Sequence, residues 1–136
     1  MRRRSSHVSR SERGQALIET ALVIVLIFTI VFSIFEIGWL MYTYSVLADA
    51  ANEGVRYAMV HSGGDPSGTQ TRVKTFAATS MHNVNTITIA ETFPDGSAIP
   101  PNRVRVTVSY TYVPYLPKFI VAPTMHTFAE GRMVAQ

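Results

Sequence analysis

The chain of 136 residues has no cysteine, one tryptophan and nine acidic residues. Without cysteine there is no disulfide to staple a small domain and no thiolate metal site. The same absence fits an exported protein as well as a cytoplasmic one, so it does not assign a compartment. A Gly-x-Ser-x-Gly nucleophile elbow and a glycine-rich phosphate loop are also missing. The four histidines, His7, His61, His82 and His126, show no paired helical spacing, and a zinc site would have to be built entirely by tertiary folding. Asp65, Asp95 and Ser97 fall in turn-forming stretches, where short polar side chains bond to nearby backbone. These absences argue against an enzyme, and no cofactor or metal is implied.

Charge is scarce outside one place. Arg2, Arg3, Arg4, Arg10 and Arg13 stand against Glu12 alone in the first thirteen residues, which therefore hold more than the whole net charge of +3. The remainder is slightly acidic and gives no basis for a nucleic-acid surface. A short basic flank beside an apolar run instead sets membrane topology, with the flank kept on the cytoplasmic side.

That run extends from Ala16 to Tyr42, and between Ala21 and Phe35 it has no charge and only Thr29 and Ser33 as hydroxyls. Carried to Met41 it is about 26 residues, roughly 39 Å as a helix, enough to cross a hydrocarbon core of ~30 Å with some tilt. Trp39, Tyr42 and Tyr44 stand at its far end, where an aromatic belt would lie. Ala48-Asp49-Ala50 offers the small-x-small pattern of a cleaved signal peptide, but the apolar run is too long for one and Glu36 interrupts it.

Helical spacing continues beyond the run, with Leu47, Ala51, Gly54, Val55 and Ala58 on one face and Asp49, Asn52, Glu53 and Arg56 elsewhere. The helix should stop near Ser62, before Gly63-Gly64-Asp65-Pro66. A second, shorter helix is expected from about Thr69 to His82, with Val73, Phe76, Ala77 and Met81 as its apolar stripe. Strands are expected over Asn85 to Thr92 and, after the Pro94-Asp95-Gly96 turn, over Arg103 to Val113, where Val104, Val106, Val108, Tyr110 and Tyr112 alternate with polar residues. Pro114, Pro117 and Pro123 break the next stretch, in which Phe119, Ile120 and Val121 form an apolar patch. Thr124 to Val134 reads as a last strand or as a short helix, since Ala129 and Gly131 weaken its strand character.

The expected fold class is α+β: a long N-terminal transmembrane helix continues into an exported helix packed on a small antiparallel sheet, with one additional short helix. The divisions are a basic cytoplasmic leader over 1–14, a transmembrane helix over 15–42, its exported continuation over 43–62 and a small exported domain over 63–136. Roughly ninety residues outside the membrane is near the lower limit for an unaided core, so a second contact with the membrane or a partner is expected.

Two motifs mark the helix. Arg13-Gly14-Gln15-Ala16-Leu17-Ile18-Glu19 puts a carboxylate at the start of the apolar run, a costly placement that usually has a partner. Further on come Glu36-Ile37-Gly38-Trp39-Leu40-Met41-Tyr42 and Ala50-Ala51-Asn52-Glu53-Gly54-Val55-Arg56-Tyr57-Ala58. The first motif resembles a prepilin leader, and together they resemble the TadE-like minor pilins, or pseudopilins, of tight-adherence (Flp-type, type IV) pilus systems. The resemblance covers residues 13 to 58. It implies cleavage between Gly14 and Gln15 by a prepilin peptidase, which would make Glu19 the fifth mature residue, paired with the N-terminal amine of a neighbouring subunit. The alternative reading of the residues is that Gly14 marks the helix start and Glu19 snorkels to the headgroups.

The implied partners are the peptidase, other minor pilins, the major pilin, the inner-membrane assembly platform and membrane lipid. Thr20 and Val25 depart from the aromatic residue and the proline common in the family; the valine implies a straighter helix because it keeps the backbone donor. Ala50, Ala51, Gly54 and Ala58 make a smooth strip for close helix packing, open either to another subunit or to the chain's own sheet. Glu53 and Arg56 are spaced to form an exposed pair. The alternative function is a membrane-tethered extracytoplasmic binding or sensor module that never enters a filament. An exported hydrolase would need a triad or metal site that the sequence does not offer.

Overall fold

The computed structural model describes residues 10–61, 65–81, 83–115 and 122–135. Arg2, Arg3, Arg4 and His7 of the leader, the Gly63-Gly64 stop, His82 and the Phe119-Ile120-Val121 patch lie outside the described residues. The architecture is α+β, in the order α1 (Arg10–Val60), α2 (Pro66–Ala78), β1 (Ile87–Thr92), β2 (Arg103–Thr111) and β3 (Thr124–Arg132). The chain divides into two compact units, one ending at Ile37 and one beginning at Gly38, and α1 contributes to both.

Helix α1 runs for 51 residues without a break, as expected of a run with valine rather than proline at position 25. The aliphatic hydroxyls of its apolar run are satisfied internally. Thr20, Thr29 and Ser33 each donate to the carbonyl four residues back, at 2.8, 2.8 and 2.7 Å, so none presents an unpaired donor on an otherwise apolar cylinder.

Helix α2 starts earlier than expected. Asp65 caps it, Oδ1 accepting from the Gly68 amide at 2.8 Å, and Pro66 occupies the first turn. An Asp-Pro pair reads as a chain break from the left but opens a helix to its right, because proline needs no donor there and its φ is already helical. The helix stops at Ala78, where Thr79 turns its hydroxyl onto the Phe76 carbonyl at 2.7 Å. Its buried stripe is Thr69, Val73 and Ala77, continued by Met81. Phe76, expected in that stripe, is instead 38% exposed.

The three strands form one antiparallel sheet in the order β1-β2-β3, with Ile87 opposite Tyr110 and Val108 opposite Thr127. The first hairpin closes at Pro94-Asp95-Gly96, where the Gly96 amide reaches the Phe93 carbonyl at 3.0 Å. Gly96 adopts φ +86°, a left-handed conformation that glycine takes without steric cost. The stretch at 124–132 is a strand rather than a helix: Met125, Thr127 and Ala129 point inward while their neighbours are exposed. Pairing with β2 along its length outweighs the weak intrinsic preference of Ala129 and Gly131.

The core lies in the second unit. Leu47, Ala50, Ala51, Val55 and Ala58 of α1 and Val73 and Ala77 of α2 cluster with Val104, Val106, Val108, Tyr110 and Tyr112. The period-2 alternation of β2 thus places one whole face of the strand inside, as half-buried strands require.

Candidate functional site

Gly14 sits inside α1, four residues after its start at Arg10, and so does not mark the beginning of the helix. A Cβ added there would meet nothing within 4 Å. No close approach among the described residues therefore requires glycine, although glycine in a helix interior costs roughly 0.5–1 kcal/mol relative to alanine. Gln15 and Glu19 are exposed on the same helix.

Beyond Glu19 the helix surface is apolar and bare. Every large apolar side chain from Leu17 to Phe35 is between 40% and 72% exposed. Contiguous apolar surface on this scale is covered by lipid or by other protein. Among the described residues there is one helix long and apolar enough to cross a membrane, and the chain reads as anchored by that single pass. At its far end Glu36 is buried, 4% exposed. Its place in the Glu-x-Gly step was legible in the sequence; its burial was not. Gly38 resembles Gly14 in that a Cβ there would meet nothing within 4 Å.

The small-residue strip is in a different position. Ala50, Ala51 and Ala58 are 0–2% exposed, and a Cβ on Gly54 would lie 2.5 Å from Val73 Cγ2 and 3.2 Å from Val106 Cγ1. Of the two partners left open for this strip, the chain's own α2 and β2 occupy it. Glu53 corrects a second expectation. Its carboxylate takes the Arg72 guanidinium of α2 at 2.6 Å, not Arg56, because packing of α2 beside α1 supplies a partner that spacing along one helix cannot reveal.

A polar knot joins the end of α1 to the start of α2. The Tyr57 hydroxyl donates to Asp65 Oδ2 at 2.9 Å, the Ser67 hydroxyl donates to Oδ1 at 2.7 Å, and the Tyr57 and His61 rings stack at 4.0 Å. The Ser67 bond, followed by the Gly68 amide and Tyr57, holds the Asp65 carboxyl below its usual range. The Tyr57–Asp65 hydrogen bond, from the other side, pushes the Tyr57 phenol up. Asp65 thus does what its place in a turn-forming stretch suggested, bonding to nearby backbone, while its tie to Tyr57 was not visible in the sequence.

Among the described residues no group of three or more His, Cys, Asp or Glu is placed to hold a metal ion. His61 Nδ1 lies 3.0 Å from the Tyr57 carbonyl, and His126 Nδ1 lies 2.8 Å from Ser109 Oγ.

The geometry therefore separates a bare helix, carrying Gly14 and Glu19, from a small self-packed domain. Residues 14–56 match the TadE-like protein family. No curated protein and no solved structure matches the chain. The TadE-like segment takes in Gly14, Glu19, Glu36, Gly38 and the small-residue strip as far as Gly54, and it ends at Arg56. It thus spans the bare part of α1 and most of the part that packs on the sheet. The TadE-like character implies a protein associated with tight-adherence pilus systems.

Proposed function

We propose that the chain is a structural subunit, a minor pilin or pseudopilin of a tight-adherence (Flp-type, type IV) pilus assembly or secretion system, cut by a prepilin peptidase between Gly14 and Gln15. The observation that supports this reading most directly is Gly14 itself. It sits within a helix that it weakens, with open space where a side chain would be, five residues before an exposed carboxylate at the head of an apolar span. A plain membrane tether needs neither residue.

In this reading the arginine-rich leader stays in the cytoplasm, and the chain from residue 43 onward is exported across the inner membrane. The bare face of α1 meets lipid before assembly and the helices of other minor pilins and the major pilin afterwards. The assembly platform in the inner membrane is the remaining partner.

N-terminal sequencing and intact mass of the protein from its native host test the reading. A terminus at Gln15 is expected, and Gly14→Leu should accumulate the uncut precursor, because a bulky side chain blocks a site selected for having none. A wild-type terminus upstream of Gly14 would favour the tethered binding or sensor module, and one at Ala51 an ordinary signal peptide.

A further inference from the structure

The two ends of the sheet differ in chemistry. At the end near the first hairpin, Asp95, Arg103, Arg105 and Glu130 form a chain of ion pairs. At the other end β2 runs into Val113, Pro114 and Tyr115, and Val113 and Tyr115 are 62% and 69% exposed. The Tyr115 ring meets Trp39 edge to face at 5.9 Å and 69°, and the Tyr42 ring is tilted against Trp39 at 5.3 Å. Beside them is a cleft of ≈ 240 Å³ lined by Thr43, Met81, Asn83 and Tyr110 as well as by Trp39 and Tyr115.

Trp39 also has a position along the helix. It follows Phe35, the last residue of the uncharged run, by four places, or about 6 Å of rise. Each polar layer of a bilayer is about 5–8 Å thick outside the hydrocarbon core. Trp39 therefore stands at headgroup depth when the twenty residues from Ala16 to Phe35, about 30 Å of helix, fill the core, and Tyr115, in contact with its ring, shares that depth.

We infer that Val113 and Tyr115, together with Trp39 and Tyr42, form a second membrane contact, seated in the headgroup layer of the bilayer that α1 crosses. Lipid is favoured over a protein occupant by continuity with the span and by composition. Tryptophan and tyrosine have an apolar ring and a polar tip suited to that layer. The contact supplies the additional anchorage that a domain this small needs. It rests on α1 spanning a bilayer, and on neither cleavage nor entry into a pilus.

The absence of cysteine makes the test clean. Val113→Cys and Ile99→Cys each create a unique site for a bimane label. Ile99 is 67% exposed and precedes β2, about 30 Å away along that strand. Each labelled full-length chain is reconstituted in phosphatidylcholine and phosphatidylglycerol vesicles containing phosphatidylcholine brominated near the headgroup end of its acyl chains. The sole tryptophan, Trp39, serves as internal reference for the span.

The expected result is that Trp39 and the V113C label both lose emission to the brominated lipid, the label several-fold more than at I99C. Quenching of Trp39 with equal, weak quenching at V113C and I99C would overturn the inference and leave the span intact. A V113C label shielded from both brominated lipid and aqueous iodide would mean that a second protein copy covers the patch, which also overturns it. Loss of Trp39 quenching would instead remove the span and the inference with it. Should V113C fail to fold, Tyr115→Cys, at the other exposed position, is read against the same outcomes.

Discussion

The Thr127 hydroxyl on β3 donates to the main-chain carbonyl of Leu47 on α1 at 3.3 Å, joining residues eighty positions apart. Thr127 is buried, and Leu47 has no exposed surface, so the bond lies inside the seam between helix and sheet. Thr127→Val keeps the shape and removes the donor. It should destabilise the domain by about 0.5–1.5 kcal/mol. Thr127→Ala should cost more, because it leaves a void as well. Urea midpoints of the full chain in detergent, compared at constant m-value, would measure both; an unchanged midpoint for Thr127→Val would show that the bond contributes nothing net.

Gly54 and Val73 are coupled by contact. Alanine at position 54 gains helix propensity, yet its Cβ would stand 2.5 Å from Val73 Cγ2, on a side chain with no exposed surface to retreat into. Overpacking of this kind costs roughly 1–3 kcal/mol, enough to outweigh the gain of about 1 kcal/mol from replacing a helical glycine. Gly54→Ala should therefore destabilise the wild type and cost less in a Val73→Ala background, where the nearest methyl is gone and the Val106 Cγ1 approach at 3.2 Å remains. A double-mutant cycle by chemical denaturation reads the sign directly.

Asp95 gives a pH signature. The Arg103 guanidinium first, and the Arg103 amide second, hold its carboxyl down at about 2, below the ordinary 3.8. A group depressed on folding stabilises the native state above its unfolded pKa, and that contribution fades as pH falls toward the folded value. Asp95→Asn should melt lower than wild type at neutral pH, and the gap should close as pH falls from near 3.8 to about 2. Thermal melts of both proteins across that range would test it; a gap independent of pH would show that the charge plays no part.

Glu19 lies on the bare face of α1, where leucine would insert more readily. If it pairs with the mature amine of a neighbouring subunit, Glu19→Ala should insert and be cut after Gly14 but fail to co-purify with pilin partners. Glu19→Gln should be intermediate, since it keeps an acceptor without the charge. Full partner recovery with Glu19→Ala would leave snorkelling as the better account.

What the sequence determined by itself was local. The uncharged run from Ala21 to Phe35, the alternation of Val104 to Tyr112 and the hairpin turn at Pro94-Asp95-Gly96 are repeats or punctuation read within a few residues, and backbone geometry converts them directly into elements. The TadE-like pattern was equally legible because it lies on one continuous helix. Tertiary structure decided whatever depends on elements remote in sequence. It chose Arg72 over Arg56 for Glu53, left Phe76 in solvent while Thr69 went inside, and filled the Ala50, Ala51, Gly54 and Ala58 strip with the chain's own α2 and β2. It also brought Tyr115 to Trp39. The physical reason is the same in each case: a helix offers several faces to its surroundings, and which face is covered depends on the position of a partner that no periodicity along that helix encodes.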